Sequence, residues 1–167
     1  VIDNSIEQTV KTEIDFDKFT EDSVMTGVLS SASYNADSGL LVLNIRDEGM
    51  YYVSVMTVGT DGSTGYVGTV YQSDSRVSAA AMNGSTIYLL NGSGLIAVDA
   101  YSGDTRHVMS FSENPDMNRN LAFTHATFTF SDGSVNIFDP TSESLIRLSG
   151  SDTAVAFGAS RHSVVNG

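Results

Sequence analysis

The sequence predicts an all-β fold built from repeated four-stranded units, on three observations. Helical periodicity is nearly absent between Ser23 and Val165. In its place stand short apolar or alternating runs, broken every few residues by Gly, Asp, Asn and Ser, which is a strand-and-turn rhythm. The runs also recur in a fixed order, four to a unit, at a spacing of about 40 residues.

The elements follow in order. A first unit has strands at Met25–Tyr34, Leu40–Arg46, Met50–Val58 and Gly65–Tyr71. Its connections, Ala36-Asp37-Ser38-Gly39, Asp47-Glu48-Gly49 and Gly59-Thr60-Asp61-Gly62-Ser63, are turn chemistry. Gly and Asn accept the positive φ of tight reversals, while Asp and Ser bond their own backbone. A second unit reads Val77–Met82, Thr86–Leu90, Leu95–Ala100 and Arg106–Phe111, joined at Asn83-Gly84-Ser85, Asn91-Gly92-Ser93-Gly94 and Ser102-Gly103-Asp104. Glu113–Asn120 is expected to be an irregular loop, since Pro115 argues against a strand. The third unit takes its first two strands from Ala122–Phe130 and continues with Ser134–Phe138 and Leu145–Leu148. Asp99 and Asp139 then fall at the same place, directly after the third strand, 40 positions apart. A fourth unit begins at 152, with Thr153–Phe157 as its inner strand.

Small twisted sheets of this kind bury their faces only against each other, and the architecture that does so at this period is the β-propeller, whole or partial. Ala79-Ala80-Ala81 fits an innermost strand beside a crowded axis. The expected organisation is an acidic N-terminal segment at 1–22, then units at 23–75, 76–120 and 121–151 and the start of another at 152. That is about three and a half blades, short of the usual four to eight. Either Val1–Phe19 runs back to complete the last blade, or other polypeptides supply what is missing. Ile6–Ile14 is polar and acidic for a buried strand, which favours other polypeptides.

Composition narrows the partners. Twenty acidic residues face eight basic ones, for a formal net charge of -12. Such a field repels phosphate backbones, and no basic stripe exists to release counterions, so nucleic acid is not expected as a partner. No apolar run approaches the roughly 20 residues of a spanning helix, so membrane insertion by helix is not expected either. The opening Val1-Ile2-Asp3-Asn4 shows neither a basic n-region nor an apolar h-region, and a processed or trimmed chain is the expectation. With no cysteine, disulfides and thiolate sites are excluded. An acidic, lysine-poor surface suits an extracellular, cell-surface or virion setting, and equally a salt-rich one.

Gly94-Leu95-Ile96-Ala97-Val98-Asp99-Ala100-Tyr101-Ser102-Gly103, following Thr86-Ile87-Tyr88, resembles the repeat of quinoprotein-like (PQQ-like) propellers. Val135-Asn136-Ile137-Phe138-Asp139-Pro140-Thr141-Ser142 is a weaker copy. The resemblance implies a propeller blade. It carries over no quinone site, because the chain has no tryptophan and no vicinal cysteine pair. Asn35–Val42 is similar to the Asp-box hairpin of sialidase-like propellers, with Val42 where that motif has an aromatic; the motif is structural.

Each candidate for chemistry has a plainer reading that outweighs it. His107, expected on an outer strand, His125, on an inner one, and His162 show no metal-ligand spacing. Gly92-Ser93-Gly94 and Gly62-Ser63-Thr64-Gly65 are hairpin turns rather than nucleophile elbows. Asp15-Phe16-Asp17 with Glu21 and Asp22 lacks the pattern and the glycine of a calcium loop. Asn83-Gly84-Ser85 and Asn91-Gly92-Ser93 match the N-glycosylation acceptor, yet Asn-Gly is also the favoured hairpin dipeptide. No catalytic, cofactor or metal residue is therefore assigned, and no cofactor. The expected function is a non-enzymatic structural or interaction module of a virion, tail or cell surface that assembles with other protein chains. A carbohydrate- or ligand-binding propeller, with a glycan as ligand and Tyr51, Tyr52, Tyr66, Tyr71 and Tyr101 as available aromatics, is the first alternative. A fragment of a propeller enzyme is the second.

Overall fold

A computed structural model of the chain describes residues 27–148 and, as backbone, two further strands within 153–166. The acidic segment 1–22, the self-closing role of Val1–Phe19 and the Asp15–Asp22 cluster all lie outside the described residues. The described part is three four-stranded antiparallel sheets, each in simple meander order, followed by a two-stranded one.

Sheet 1 comprises β1 (Val28–Asn35), β2 (Leu40–Asp47), β3 (Met50–Val58) and β4 (Thr64–Ser73). Sheet 2 comprises β5 (Val77–Asn83), β6 (Thr86–Asn91), β7 (Gly94–Asp99) and β8 (Thr105–Ser110). Sheet 3 comprises β9 (Asp116–Arg119), β10 (Ala126–Thr129), β11 (Val135–Asp139) and β12 (Ser144–Arg147). The remaining pair is β13 (Thr153–Gly158) with β14 (Arg161–Asn166). The sequence reading anticipates the first of these two strands and not the second.

Alternation along the strands builds the stack. On β2, Leu40 and Val42 face one way and Leu41, Leu43 and Ile45 the other, as the two-residue period of a strand requires. The first set joins Val53 and Val55 of β3 and meets Val77, Ala79, Ile87, Leu89 and Val98 of sheet 2. The opposite face of sheet 2, with Ala80, Ala81, Tyr88 and Leu95, meets Ala126, Phe128 and Phe138 of sheet 3. A bulge between Ala79 and Ala81 lets one inner strand serve both cores, because the extra residue puts Ala80 and Ala81 on the same side. Leu41, Leu43, Ile45 and Met56 form another buried apolar layer, on the face of sheet 1 turned away from sheet 2.

The repeat register holds in the second and third units. Asp99 closes β7 and Asp139 closes β11, each the third strand of its sheet. Both carboxylates then fold the next turn: Asp99 Oδ1 accepts the Tyr101 and Ser102 amides at 3.0 and 2.9 Å, and Asp139 Oδ1 the Thr141 amide at 2.9 Å.

Sheet 3 corrects the sequence reading at its start. Glu113–Asn120 is not a loop throughout; it contains β9, the innermost strand, which pairs with β10 through Asp116↔Thr129 and Arg119↔Ala126. Pro115 directly precedes the strand, where its missing N–H costs no ladder bond. The second unit therefore ends before 116 rather than at 120. Only Ala126–Thr129 of the expected run Ala122–Phe130 is strand, and His125 sits in the β9–β10 turn instead of on an inner strand. That turn is a crossing point for all three sheets. Phe123 stands at φ 57, fully buried in the core between sheets 1 and 2. Its carbonyl accepts the Met82 amide of β5 at 2.8 Å, and the Asn35 side chain of β1 donates to the Ala122 carbonyl at 3.3 Å. A left-handed phenylalanine costs on the order of 1 kcal/mol or more. Burying the ring returns roughly 1.5–3 kcal/mol.

Candidate functional site

Among the described residues β1, β5 and β9 each pair on one side only, and the three inner strands bring those edges together. Two recesses lie there, of about 500 and 430 Å³, and they share Arg76, Ser78 and Met117. The smaller adds Ser30 and Ser31 of β1, Arg46 at the end of β2, Tyr51 at the start of β3, and Arg119 of β9. The larger extends past Asn114, Asp116 and Asn118.

Local structure explains why these side chains meet. A register shift between Leu29 and Ser31 makes Ser30 an extra residue, so two consecutive serines reach one recess, which regular pleating forbids. Arg46 and Tyr51 are direct partners across the β2–β3 hairpin, and the guanidinium lies 5.8 Å from the ring centroid, a cation–π contact. Arg76 is the last residue before β5 and is exposed. Arg119 ends β9 and is half-buried, with Nη1 donating at 3.4 Å to the Ala79 carbonyl beside the β5 bulge. Burial pulls the Arg119 pKa down from its ordinary value, the sign expected of a cation held partly away from water.

One polar group in the wall is unsatisfied. Asn44 is buried and its Nδ2 donates to Ser31 Oγ at 2.7 Å, while its Oδ1 has no partner. Whichever way the amide is turned, one end lacks a hydrogen bond, at a cost of about 1–3 kcal/mol.

The other clusters of ionisable groups hold the fold. Tyr88 Oη lies 3.0 Å from the Pro140 carbonyl and 2.8 Å from Glu143 Oε1, and Arg106 forks onto the same carboxylate. This clasp ties β6 and β8 of sheet 2 to the β11–β12 turn of sheet 3. Desolvation, then the Glu143 contact, raises the Tyr88 pKa to about 12, and the Arg106 and Tyr88 hydrogen bonds lower that of Glu143. Asp99 is held at about 2 by the Ser102 amide, the Ser85 hydroxyl and the Tyr101 amide. Serine bonds lower Asp61, Asp132 and Glu113, the first two inside hairpin turns.

The residues singled out in the sequence do not converge. His107 is exposed on β8 as expected, 2.9 Å from Ser110 Oγ. His125 is half-buried in its turn, with Nδ1 3.1 Å from Thr124 Oγ1. His162 lies on β14. Among the described residues no three His, Asp or Glu side chains are arranged to hold a metal ion. Asn83 and Asn91 both flank hairpin turns whose glycines, Gly84 and Gly92, have positive φ. The Asn91 amide donates to Tyr71 Oη at 2.9 Å, tying sheet 2 to sheet 1. Of the five tyrosines named as available aromatics, Tyr101 sits in a turn and the other four lie on β3 and β4. The arginine recess itself escaped the sequence reading. Its parts come from three sheets, and the only trace along the chain is the arginines at 46, 76 and 119, which Arg106 and Arg147 make indistinguishable by spacing.

No protein-family profile matches the chain. No curated protein matches it. Solved structures do. One is a chain in the complex of a S. cerevisiae Dbp5 variant bound to Nup159, a Gle1 variant, IP6 and ADP, with TM-score 0.52, 13% identity, and 83% of this chain covered against 38% of that one. Another is the N-terminal domain of Nup159, with TM-score 0.50, 12% identity, and 77% against 35%. The chain is an all-β stack of propeller-like blades. It spans little more than a third of the length of the structures it matches.

Proposed function

We propose that this chain is a non-enzymatic interaction module, a run of propeller blades completed by association with another polypeptide. The observation that carries this reading is the number of blades: the described residues form three four-stranded sheets, below the usual range of about four to eight for a propeller, while both faces of sheet 1 are apolar and buried. Leu41, Leu43, Ile45 and Met56, flanked by Tyr52 and Val58, form an apolar layer to which neither sheet 2 nor sheet 3 contributes. A blade with apolar layers on both faces calls for a neighbour on each. The small share of the matched chains that three sheets cover supports the same view. Carboxylates spent on turns and on the Tyr88 clasp support a structural rather than a catalytic use of the charged groups. The quinoprotein-like pattern at Gly94–Gly103 is accordingly a blade signature. The acidic, lysine-poor composition supports an extracellular, cell-surface or virion setting.

Light scattering on the purified chain tests the reading. A mass of at least twice 17.7 kDa, held on dilution into the micromolar range, is the expected result. A compact monomer that binds no hydrophobic dye contradicts it, because the chain then closes its own apolar faces.

A further inference from the structure

We propose that the recess at the inner strands binds an extended peptide segment bearing carboxylates, gripped by Arg46, Arg76 and Arg119. The first argument is charge. In a chain where acidic residues outnumber basic ones by 20 to eight, an arginine is expected to find a carboxylate. Among the described residues, however, the one ion pair is Arg106–Glu143. Arg46 faces a tyrosine ring, Arg119 a main-chain carbonyl, and Arg76 is exposed at the point the two recesses share. Among the described residues, the wall of the smaller recess has three guanidiniums and no acidic side chain. Guanidinium forks match carboxylates two bonds at a time, and a half-buried one gains most from a partner.

Peptide chemistry fits the remaining wall. Ser30, Ser31 and Ser78 offer hydroxyls, and among the described residues the inner strands present open main-chain edges. A sugar would seek an aromatic face, but the ring in this wall, Tyr51, already carries the Arg46 guanidinium. A long polyphosphate backbone is disfavoured by the net charge of -12. Near physiological salt, screening over about 8 Å mutes the distant acidic residues while leaving contacts inside the recess intact. The three arginines all belong to the described sheets, and the test reads binding rather than oligomeric state.

The test is fluorescence anisotropy with a fluorescein-labelled hexaglutamate peptide, with hexaglutamine as the neutral counterpart, at about 0.15 M salt. Saturable binding of hexaglutamate below ~1 mM is expected, with none of hexaglutamine. Arg76→Ala should weaken it about tenfold or more, and Arg76→Lys by less, since the charge stays while the fork is lost. Arg76 is exposed and its side chain makes no hydrogen bond among the described residues, so circular dichroism should show both variants folded. No saturable binding overturns the proposal, as does equal affinity in wild type and Arg76→Ala. Displacement by sub-millimolar inorganic phosphate assigns the recess to small anions, and tighter binding of sialyllactose than of hexaglutamate assigns it to acidic sugars; either result overturns the peptide.

Discussion

The two interfaces between successive sheets are built from different chemistry. Sheets 1 and 2 meet mainly through aliphatic side chains, with Leu40, Val42, Val53 and Val55 against Ile87, Leu89 and Val98, one fully buried aromatic, Phe123, and Tyr51 and Tyr71 packed at the margin. Sheets 2 and 3 meet through alanines and aromatics. Phe128 and Phe138 stand 6.4 Å apart, Tyr88 and Phe138 5.0 Å, both edge to face. They are closed at the outside by the Tyr88–Glu143–Arg106 clasp. The contrast follows from strand length. β9, β10 and β12 have four residues each, against eight to ten in sheet 1, so sheet 3 has fewer positions from which to cover its neighbour. Large rings and a directional polar tie compensate for the missing aliphatic rows. The second interface should therefore respond to pH and to single polar changes, and the first chiefly to changes of volume.

The largest effect is expected where the third sheet reaches into the first interface. Phe123→Ala should lower stability by about 3–5 kcal/mol in urea unfolding, the usual cost of an emptied aromatic site. A loss below that of an exposed residue would show that the turn does not bind the sheets together. Next comes Tyr88→Phe, which strips the phenol from Glu143 and from the Pro140 carbonyl, leaving that carbonyl only the longer Asn83 bond of 3.4 Å, and should cost about 1–3 kcal/mol. Glu143→Gln should cost less, below about 1 kcal/mol, because its partner Arg106 is exposed to solvent. If Glu143→Gln proves costlier than Tyr88→Phe, the clasp works through the ion pair and not the phenol.

The same clasp predicts a pH profile. Tyr88 titrates near 10.0 when unfolded and at about 12 in the fold, so the folded state holds its proton longer. That stabilisation is whole below pH 10 and is lost as pH climbs toward 12. Glu143 and Asp99 shift the other way, Asp99 from 3.8 to about 2. Their contributions are present above the unfolded carboxylate range and fade as pH falls through the folded values. Stability measured against pH should thus fall at both ends, and Tyr88→Phe should flatten the alkaline limb while trimming the acid limb only by the Tyr88 share of the Glu143 shift, with the Asp99 part unchanged.

How much of this was legible in the sequence depended on whether the signal was local. Hairpins announce themselves through Gly and Asn at fixed offsets, so β2, β3 and β5 to β8 were readable to within a residue or so, as was the equivalence of Asp99 and Asp139. β9 was not. Asp116-Met117-Asn118-Arg119 lacks alternation because its cover comes from β5 and β10 rather than from its own pattern, and the preceding proline marks a boundary that looked like a break. Ala122–His125 failed for the opposite reason: Ala-Phe-Thr-His alternates like a strand, while long-range burial of Phe123 holds the backbone in a turn. The recess was the least visible part. Arg46, Arg76 and Arg119 become neighbours only once three sheets share an axis, and no spacing rule along the chain encodes that.

The claim that the blade stack is completed by another polypeptide is tested most directly on the outer face of sheet 1. A photoreactive benzoylphenylalanine in place of Met56, which lies in that apolar layer, will report what covers it after irradiation and mass spectrometry. The account predicts adducts between two polypeptides, with masses of at least two chains. Adducts confined to a single chain, at the monomer mass, would contradict it.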